Sequence, residues 1–208
     1  MKKSYIGLAF IVLVFGIWVV KEIRARYFND SDLYEIGSAP RFELINQDSK
    51  KVSDKDYLGK VYVIEFFFST CPTICPKMNQ NMLKIQDEFK NEQNFGIVSI
   101  TINPDYDTPQ VLKEHAELLG ANHPNWNFLT GKKDYIYDLS NKGFNLYAAE
   151  NKKAMGGFEH SGMFALIDKE GNIRCRKDSY GNPILYYDGL ENDGINAIKE
   201  DIKKLLAE

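Results

Sequence analysis

An apolar strand followed closely by two cysteines constrains this chain more than any other feature. Residues 61–68 are all β-branched or aromatic except Glu65, which predicts a buried central strand of a parallel sheet. Cys71 and Cys75 follow, each directly before a proline, and proline disfavours the helical conformation at the residue before it. We therefore expect a cysteine-bearing loop at the carboxyl end of the strand, where α/β sheets carry their chemistry.

The position of the two thiols leaves several roles open. A helix whose first residue is Pro76 would start beside Cys75, and the partial positive charge at a helix N-terminus favours the thiolate, the nucleophilic and metal-binding form. Three intervening residues let the sulfurs converge, so Cys71 and Cys75 could close a disulfide or hold one metal ion. An inert structural pair is the alternative, but so short a loop makes a disulfide a weak stabiliser.

The rest of the chain alternates strand and helix patterns, which predicts an α/β fold. Residues 42–45 and 51–52 flank a turn-like segment and predict a hairpin. Apolar residues recur at helical spacing from Pro76 to about Lys90. Further strands are expected at residues 95–102, 126–129, 163–167 and 173–176, and further helices after Thr108-Pro109, over residues 134–139 and from about Gly194 to Leu206.

Several other side chains carry atoms that could bind a metal. Met78 and Met82 lie four residues apart on the predicted helix, but methionine at helical spacing usually fills the core. His115 lies among leucines in a later helix, so packing is the simpler interpretation. His123 precedes a proline in a linker and is expected at the surface. Cys175 shares a face of its predicted strand with an isoleucine, which predicts a lone thiol near the core.

His160 is placed differently from the other two histidines. It lies shortly after the glycine-containing segment 151–157 and just before the predicted strand 163–167. A histidine at the mouth of a strand, behind a flexible loop, is positioned to approach a site at the sheet edge. Glu159 beside it is a weaker candidate ligand.

The first 26 residues differ in character from the rest. Two lysines precede the apolar run 5–20 and three basic residues follow it, which predicts a signal-anchor over residues 1–26. The run would span about 24 Å as a helix, somewhat less than a hydrocarbon core of about 30 Å. A cleaved signal peptide is the alternative, but no small-residue cleavage site follows Val20. Residues 27–40 have the composition of a tether, so the folded domain is expected over residues 41–208.

The orientation of this segment is ambiguous by the positive-inside rule, because basic residues flank both ends. A thiol pair suits an oxidising compartment, and a short basic N-terminus is the usual start of a secretory signal, so we expect the domain on the extracytoplasmic side of a membrane. The formal net charge of the chain is −3. The first 26 residues contain five basic residues and one acidic residue, so residues 27–208 carry a net charge of about −7. Such a surface argues against nucleic acid as a partner.

Three motifs together resemble one known family. They are residues 71–76 (Cys-Pro-Thr-Ile-Cys-Pro) after an apolar strand, residues 101–109 (Thr-Ile-Asn-Pro-x-x-Asp-Thr-Pro) and residues 159–161 (Glu-His-Ser). This combination is similar to the SCO (SenC) family of copper-binding assembly proteins, over roughly residues 35–206. The resemblance implies a thioredoxin-like fold with a central mixed sheet on a single membrane anchor. It also implies one copper ion held by two cysteines and a histidine, and a role in building the binuclear copper centre of cytochrome c oxidase.

Carried over motif by motif, the implied copper ligands are Cys71, Cys75 and His160, and the same cysteines are the implied redox disulfide. Two thiolates and one imidazole suit Cu(I), and suit Cu(II) if a further ligand completes the site. Structural zinc would usually need a fourth protein ligand, and none is evident. The sequence departs from the family at Asn103, where aspartate is usual. That change puts in doubt an acid-base or electrostatic role at the position but leaves the ligand set intact.

Two functions of different classes follow from this pattern. In the first, the protein is a copper chaperone, a binding protein and not an enzyme, that serves the copper-accepting subunit of a respiratory oxidase. In the second, it is a membrane-anchored thiol-disulfide oxidoreductase, which needs an attacking and a resolving thiol but no histidine ligand. Redox sites of the thioredoxin type use Cys-x-x-Cys, so the longer spacing here favours chelation. A peroxiredoxin-like peroxidase fits less well, because the second thiol lies so close in the loop.

Overall fold

A computed structural model of the protein describes residues 10–19 and 33–208. Residues 10–19 form helix α1. Within these two ranges, no helix is long and apolar enough to cross a membrane. The predicted signal-anchor, residues 1–26, continues on both sides of α1 into positions outside the described ranges, and so does the predicted tether up to residue 32.

Residues 33–208 form an α/β domain. Its strands are β1 Tyr34–Ser38, β2 Glu43–Asn46, β3 Lys51–Ser53, β4 Val61–Phe67, β5 Phe95–Thr101, β6 Trp126–Thr130, β7 Ala148–Glu150, β8 Phe158–His160, β9 Met163–Ile167, β10 Asn172–Lys177, β11 Pro183–Ile184 and β12 Tyr187–Asp188. Its helices are α2 Cys75–Phe89, α3 Pro109–Leu119, α4 Lys133–Asp138, which continues into the π-helical turn Leu139–Gly143, and α5 Asn192–Ala207; Asp54–Tyr57 is a 3₁₀ turn.

In this domain, ten strands form one mixed sheet whose main path runs β1-β10-β9-β4-β5-β6-β2-β3, with β11 beside β10 and β12 beside β9. Strands β4, β5 and β6 are parallel, and β9 and β2 flank them in antiparallel pairing. The predicted α/β fold with a central mixed sheet is therefore confirmed. Strands β7 and β8 form a separate two-stranded sheet.

Strand β4 lies at the centre of the domain, as its composition predicts. All seven of its residues are buried, including Glu65, because sheet neighbours and packed helices cover both faces. Phe67 of β4 pairs with Thr101 of β5. The two parallel strands therefore end at the same edge of the sheet, and the loops that follow them lie side by side.

The helices follow from their apolar spacing and their end residues. In α2, Met78, Met82, Ile85 and Phe89 form the predicted stripe and are all buried. Helix α3 begins at Pro109, with the Thr108 hydroxyl accepting a hydrogen bond from the Val111 backbone N–H. It ends at Leu119, and the next residue, Gly120, has a φ of 83°, the left-handed conformation that glycine adopts without steric penalty.

Two segments contain strands where loops were expected. Tyr34–Ser38, within the predicted tether, forms β1 and pairs with β10, so regular structure begins before residue 41. Phe158–His160 forms β8 and pairs with β7. Strand β1 pairs with a strand that is distant in the sequence, and β7 and β8 are only 3 residues long each. Local periodicity carries little signal in either case.

Candidate metal centre

The predicted ligands come from three different elements. Cys71 lies in the loop after β4, Cys75 is the first residue of α2, and His160 is the last residue of β8. One ligand atom from each residue lies within 4.8 Å of the others. Both cysteines are buried, with 8% and 2% of their surface exposed, and both are free thiols. The fold thus brings together residues that are up to 89 positions apart in the sequence.

The imidazole of His160 is held by its own strand end. Its Nδ1 atom lies 3.0 Å from the Ser161 carbonyl oxygen, and a carbonyl can only accept a hydrogen bond, so Nδ1 carries the proton. Nε2 of the neutral ring is then unprotonated, and it lies 3.1 Å from the Cys75 sulfur. Fixing one ring nitrogen in this way aims the other at a metal. The histidine is therefore oriented as a ligand.

The two thiols are unequal. The side-chain hydrogen bond from Cys75 holds the pKa of the Cys71 thiol well below its ordinary value. The same hydrogen bond, together with burial, raises the pKa of the Cys75 thiol. Sequence reasoning placed the favoured thiolate at Cys75, beside the helix N-terminus. The pKa is instead lowered at Cys71, where the neighbouring Cys75 thiol favours the thiolate, and raised at Cys75, where the neighbouring sulfur and burial disfavour it.

Aromatic side chains form one wall of the site. The Phe68 ring contacts His160 edge-on at 5.8 Å between centroids and contacts Phe158 at 5.2 Å. The loop between β7 and β8 closes over this wall, because an added Cβ at Gly156 would lie 2.9 Å from Pro72 Cδ and 3.0 Å from Phe68 Cε2. The loop that carries the cysteines and the loop that precedes the histidine are thus in direct contact.

A fully buried carboxyl group lies on the strand that leads to the site. Glu65 accepts a hydrogen bond of 2.7 Å from the Ser99 hydroxyl, and the Trp126 indole N–H donates to the same hydroxyl at 3.0 Å. Burial raises the pKa of Glu65 to about 7, although Ser99 and His160 act in the opposite direction. Sequence reasoning noted Glu65 only as the charged exception in an apolar strand, and that exception was the signal for a buried titratable group.

The remaining candidate ligands lie elsewhere. Met78 and Met82 are core residues with no exposed surface. His115 stacks on Phe67 at 5.5 Å between centroids, which confirms a packing role. His123 was expected at the surface, and that expectation was wrong: it is 4% exposed, because the turn before β6 folds it against the core. Cys175 is fully buried in β10, as predicted.

Glu159 and Asn103 are close to the site in sequence but do not join the ligand group. Glu159 neighbours His160 in β8, so its side chain points to the opposite face of the strand, where it accepts a hydrogen bond from Asn151 Nδ2. The Asn103 backbone N–H donates to the Thr101 hydroxyl, and its carbonyl oxygen accepts from Asp107 N–H. In the part of the chain that the structure describes, Cys71, Cys75 and His160 form the group of side chains that could hold a metal ion.

This arrangement agrees with a comparison to known families. A family model for SCO1/SenC matches residues 34–192. The chain belongs to the SCO1/SenC family. Among its relatives is the SCO1 protein homolog of Bacillus subtilis, which is 32% identical over 166 residues, covering 78% of this chain and 79% of the relative. Protein sco1 of Schizosaccharomyces pombe is 34% identical over 155 residues, covering 70% and 57% of the two chains.

Solved structures of family members have the same fold. A SCO1/SenC family lipoprotein from Bacillus anthracis superposes with a TM-score of 0.71 at 33% identity, covering 83% of this chain and 96% of that one. BsSco, described as a member of the Sco family of cytochrome c oxidase assembly proteins, gives 0.69 at 28% identity, with 83% and 95% covered. Yeast Sco1 with copper bound gives 0.59 at 27% identity, with 80% and 88% covered.

Proposed function

We propose that this protein is a copper chaperone that binds one copper ion through Cys71, Cys75 and His160. In this role the metal is cargo, received and passed on, and the protein catalyses no reaction of its own. The observation that carries the proposal is the convergence of the three ligand atoms within 4.8 Å. A pair of thiol sulfurs and one imidazole nitrogen is the soft, low-coordinate donor set that suits Cu(I).

The positions of the protons on the three proposed ligands also suit metal binding. Metal binding requires thiolates and a neutral imidazole. The lowered pKa of the Cys71 thiol favours one thiolate, and the Ser161 carbonyl fixes the His160 tautomer in which Nε2 is unprotonated and faces the cysteines. Copper entry would then displace the proton of the Cys75 thiol, whose pKa is raised.

The relatives support the recipient as well as the cargo. Yeast Sco1 has been solved with copper bound, and BsSco is described as belonging to a family of cytochrome c oxidase assembly proteins. On this basis the recipient is the copper-accepting subunit of a respiratory oxidase. Delivery would proceed by exchange of copper from Cys71 and Cys75 to thiols of that subunit.

The membrane-anchored thiol-disulfide oxidoreductase is the second candidate. A disulfide switch has been described for BsSco, and Cys71 and Cys75 are close enough to share a metal, which is compatible with a Cys71–Cys75 disulfide. In this role the protein would prepare the recipient's thiols by disulfide exchange and would not deliver copper to them. His160 separates the two candidates, since disulfide exchange does not require an imidazole ligand.

The proposed location is the extracytoplasmic face of a membrane. Residues 1–26 would anchor the chain, the positions up to residue 32 would serve as the tether, and the folded domain would follow. Family members include a lipoprotein from Bacillus anthracis, which supports attachment to a membrane surface. An oxidising compartment also suits a site that cycles between two thiols and a disulfide.

Copper titration of the reduced domain tests the proposal. We expect one copper per chain and, for Cu(II), a sulfur-to-copper charge-transfer band. The control is the Cys71→Ser/Cys75→Ser double variant, which keeps the size of both side chains but removes both sulfurs. Copper binding by the unmodified domain that does not exceed binding by this variant would sink the chaperone proposal.

A further inference from the structure

Two loops meet at the sheet edge that carries the site. One follows β4 and contains Cys71, and the other follows β5 and leads into α3. Because Phe67 and Thr101 are paired at the ends of these strands, the loops start side by side. Something must nevertheless fix the path of the first loop, because its residues 68–74 belong to no helix or strand.

Asp107, in the second loop, makes that connection. It has no exposed surface, and its carboxylate accepts three hydrogen bonds. The Ser69 backbone N–H donates to Oδ2 at 3.1 Å, the Ser69 hydroxyl donates to Oδ1, and the Thr101 hydroxyl donates to Oδ2. A carboxylate buried without a neighbouring cation is stable only with such donors. Here two of the three donors belong to the cysteine loop.

The second loop is itself firmly held, so it can act as a support. The Asp107 backbone N–H donates to the Asn103 carbonyl at 2.9 Å, and the Asn103 N–H donates to the Thr101 hydroxyl at 3.0 Å. Thr108, the next residue, caps α3. Asp107 is therefore held between the end of β5 and the start of a helix by contacts that do not involve the cysteine loop.

The contact acts close to the first thiol. Ser69 lies two residues before Cys71, and the Cys71 N–H donates to the Phe68 carbonyl at 3.2 Å, closing a tight turn around Ser69. A side chain that holds Ser69 by both its backbone and its hydroxyl thus determines where this turn places Cys71. Cys75 needs no such support, because helix α2 fixes it.

We propose that Asp107 is a positioning residue that holds the Ser69 turn so that the Cys71 sulfur faces Cys75 and His160. This inference rests on the proposed copper site, to which it adds a residue that binds no metal. The mechanism is hydrogen bonding and not charge. An asparagine can retain it, with its oxygen accepting from the Ser69 N–H and the Thr101 hydroxyl while its NH₂ donates to the Ser69 oxygen.

The test uses one readout without metal and one with it. In the metal-free protein, glutathione disulfide oxidises the Cys71 and Cys75 thiols to an intramolecular disulfide and is reduced to two glutathione molecules, so the equilibrium constant measures how well the sulfurs face each other. With metal, a chelator competition gives the Cu(I) affinity and the Cu(II) charge-transfer band reports the ligand geometry. The variants are Asp107→Ala and Asp107→Asn. The control is Asp105→Asn. Asp105 lies in the same loop as Asp107, but its carboxylate is exposed and pairs with Lys133.

We expect Asp107→Ala to lower both the disulfide equilibrium constant and the Cu(I) affinity by about tenfold or more and to shift the Cu(II) band, while Asp107→Asn and Asp105→Asn stay within threefold of the unmodified protein. If Asp107→Ala does not fold, Ser69→Ala, which removes one of the three donors, should shift both readouts in the same direction by a smaller factor. The inference would be overturned if Asp107→Asn were as impaired as Asp107→Ala. It would also be overturned if a folded Asp107→Ala matched the unmodified protein in both readouts, or if Ser69→Ala did so where Asp107→Ala does not fold. Failure of the unmodified protein to bind copper would instead refute the proposed function, and the disulfide equilibrium would still decide the role of Asp107.

Discussion

Replacing His160 with alanine should separate metal binding from folding. The substitution removes one of the three proposed ligands and leaves both cysteines in place. Loss of a residue that merely supports a ligand typically lowers metal affinity by about 10–100-fold. Loss of a ligand itself should exceed that range, so we expect the Cu(I) affinity of His160→Ala to fall by more than about 100-fold, or about 2.7 kcal/mol of binding free energy.

The metal-free domain should lose part of its stability but stay folded, because a domain is typically stable by about 5–15 kcal/mol. The alanine variant loses the hydrogen bond between Nδ1 and the Ser161 carbonyl, worth about 0.5–1.5 kcal/mol. It also loses the edge-on contact with Phe68, worth about 0.5–1.5 kcal/mol. The contact between Nε2 and the Cys75 sulfur is lost as well, and at about 0.5–1.5 kcal/mol it brings the sum to about 1.5–4.5 kcal/mol, which lowers the melting temperature of a domain of this size by ~3–18 °C.

The assay is a chelator competition for Cu(I), paired with thermal unfolding of the metal-free protein. Glu159→Ala is the matched control, because Glu159 lies next to His160 on the opposite face of the same strand and is exposed. This control should keep the copper affinity within threefold. The rate of thiol exchange at the cysteine pair should also persist in His160→Ala. A folded His160→Ala domain whose copper affinity equals that of the control would refute the ligand assignment and favour the oxidoreductase.

Three further predictions concern the surroundings of the site. The folded-state pKa of Glu65 is raised to about 7 from 4.5, so the unfolded chain loses this proton at lower pH than the folded chain does, and the contribution of Glu65 to stability falls by about 3 kcal/mol as pH rises through that interval. Glu65→Gln should remove this contribution, so that the slope of stability against pH in urea unfolding between about pH 4.5 and 7.5 becomes more positive than in the unmodified protein; an unchanged slope would contradict it. Gly156→Ala should weaken copper binding more than Gly157→Ala. Both glycines have positive φ, but only at Gly156 would an added Cβ meet other atoms within 4 Å. Equal copper affinities of the two variants would argue against a contact between the β7–β8 loop and the cysteine loop at the site. Oxidising Cys71 and Cys75 to a disulfide should abolish copper binding, because only thiolates are ligands, and retained tight binding in equilibrium dialysis would place the ligands elsewhere.

The sequence predicts the centre of this fold better than its edges. Strand β4 is apolar except for Glu65, and helix α2 has a regular apolar stripe. An element that is buried on both faces, or on one face, therefore has a recognisable sequence pattern. Strands β1 and β8 leave none. Tyr34–Ser38 is exposed along most of its length, and its pairing with β10 joins positions more than 130 residues apart, which no local pattern can report.

The candidate site divides in the same way. Residue type and spacing identify the two cysteines, and the motif before β9 identifies His160, since each is an uncommon residue in an informative place. Asp107 and Glu65 were not identified as parts of the site, because an aspartate in a loop is ordinary and a single glutamate in a strand says nothing about its partners. Their roles depend on burial and on donors such as Ser69 and Ser99, which only the folded chain brings near.

The topology explains why the histidine can be studied apart from the thiols. Cys71 and Cys75 are attached to the fully buried strand β4 and the helix that follows it. His160 belongs to the two-stranded sheet of β7 and β8, which makes no backbone pairing with the main sheet and contacts the cysteine loop through side chains such as Phe68. A change at His160 should therefore alter the proposed ligand set without disturbing the strand on which the thiols depend. In the proposed copper site, the core would fix two ligands and a separate hairpin would supply the third, so a change at the third should lower the affinity for copper while the core stays folded.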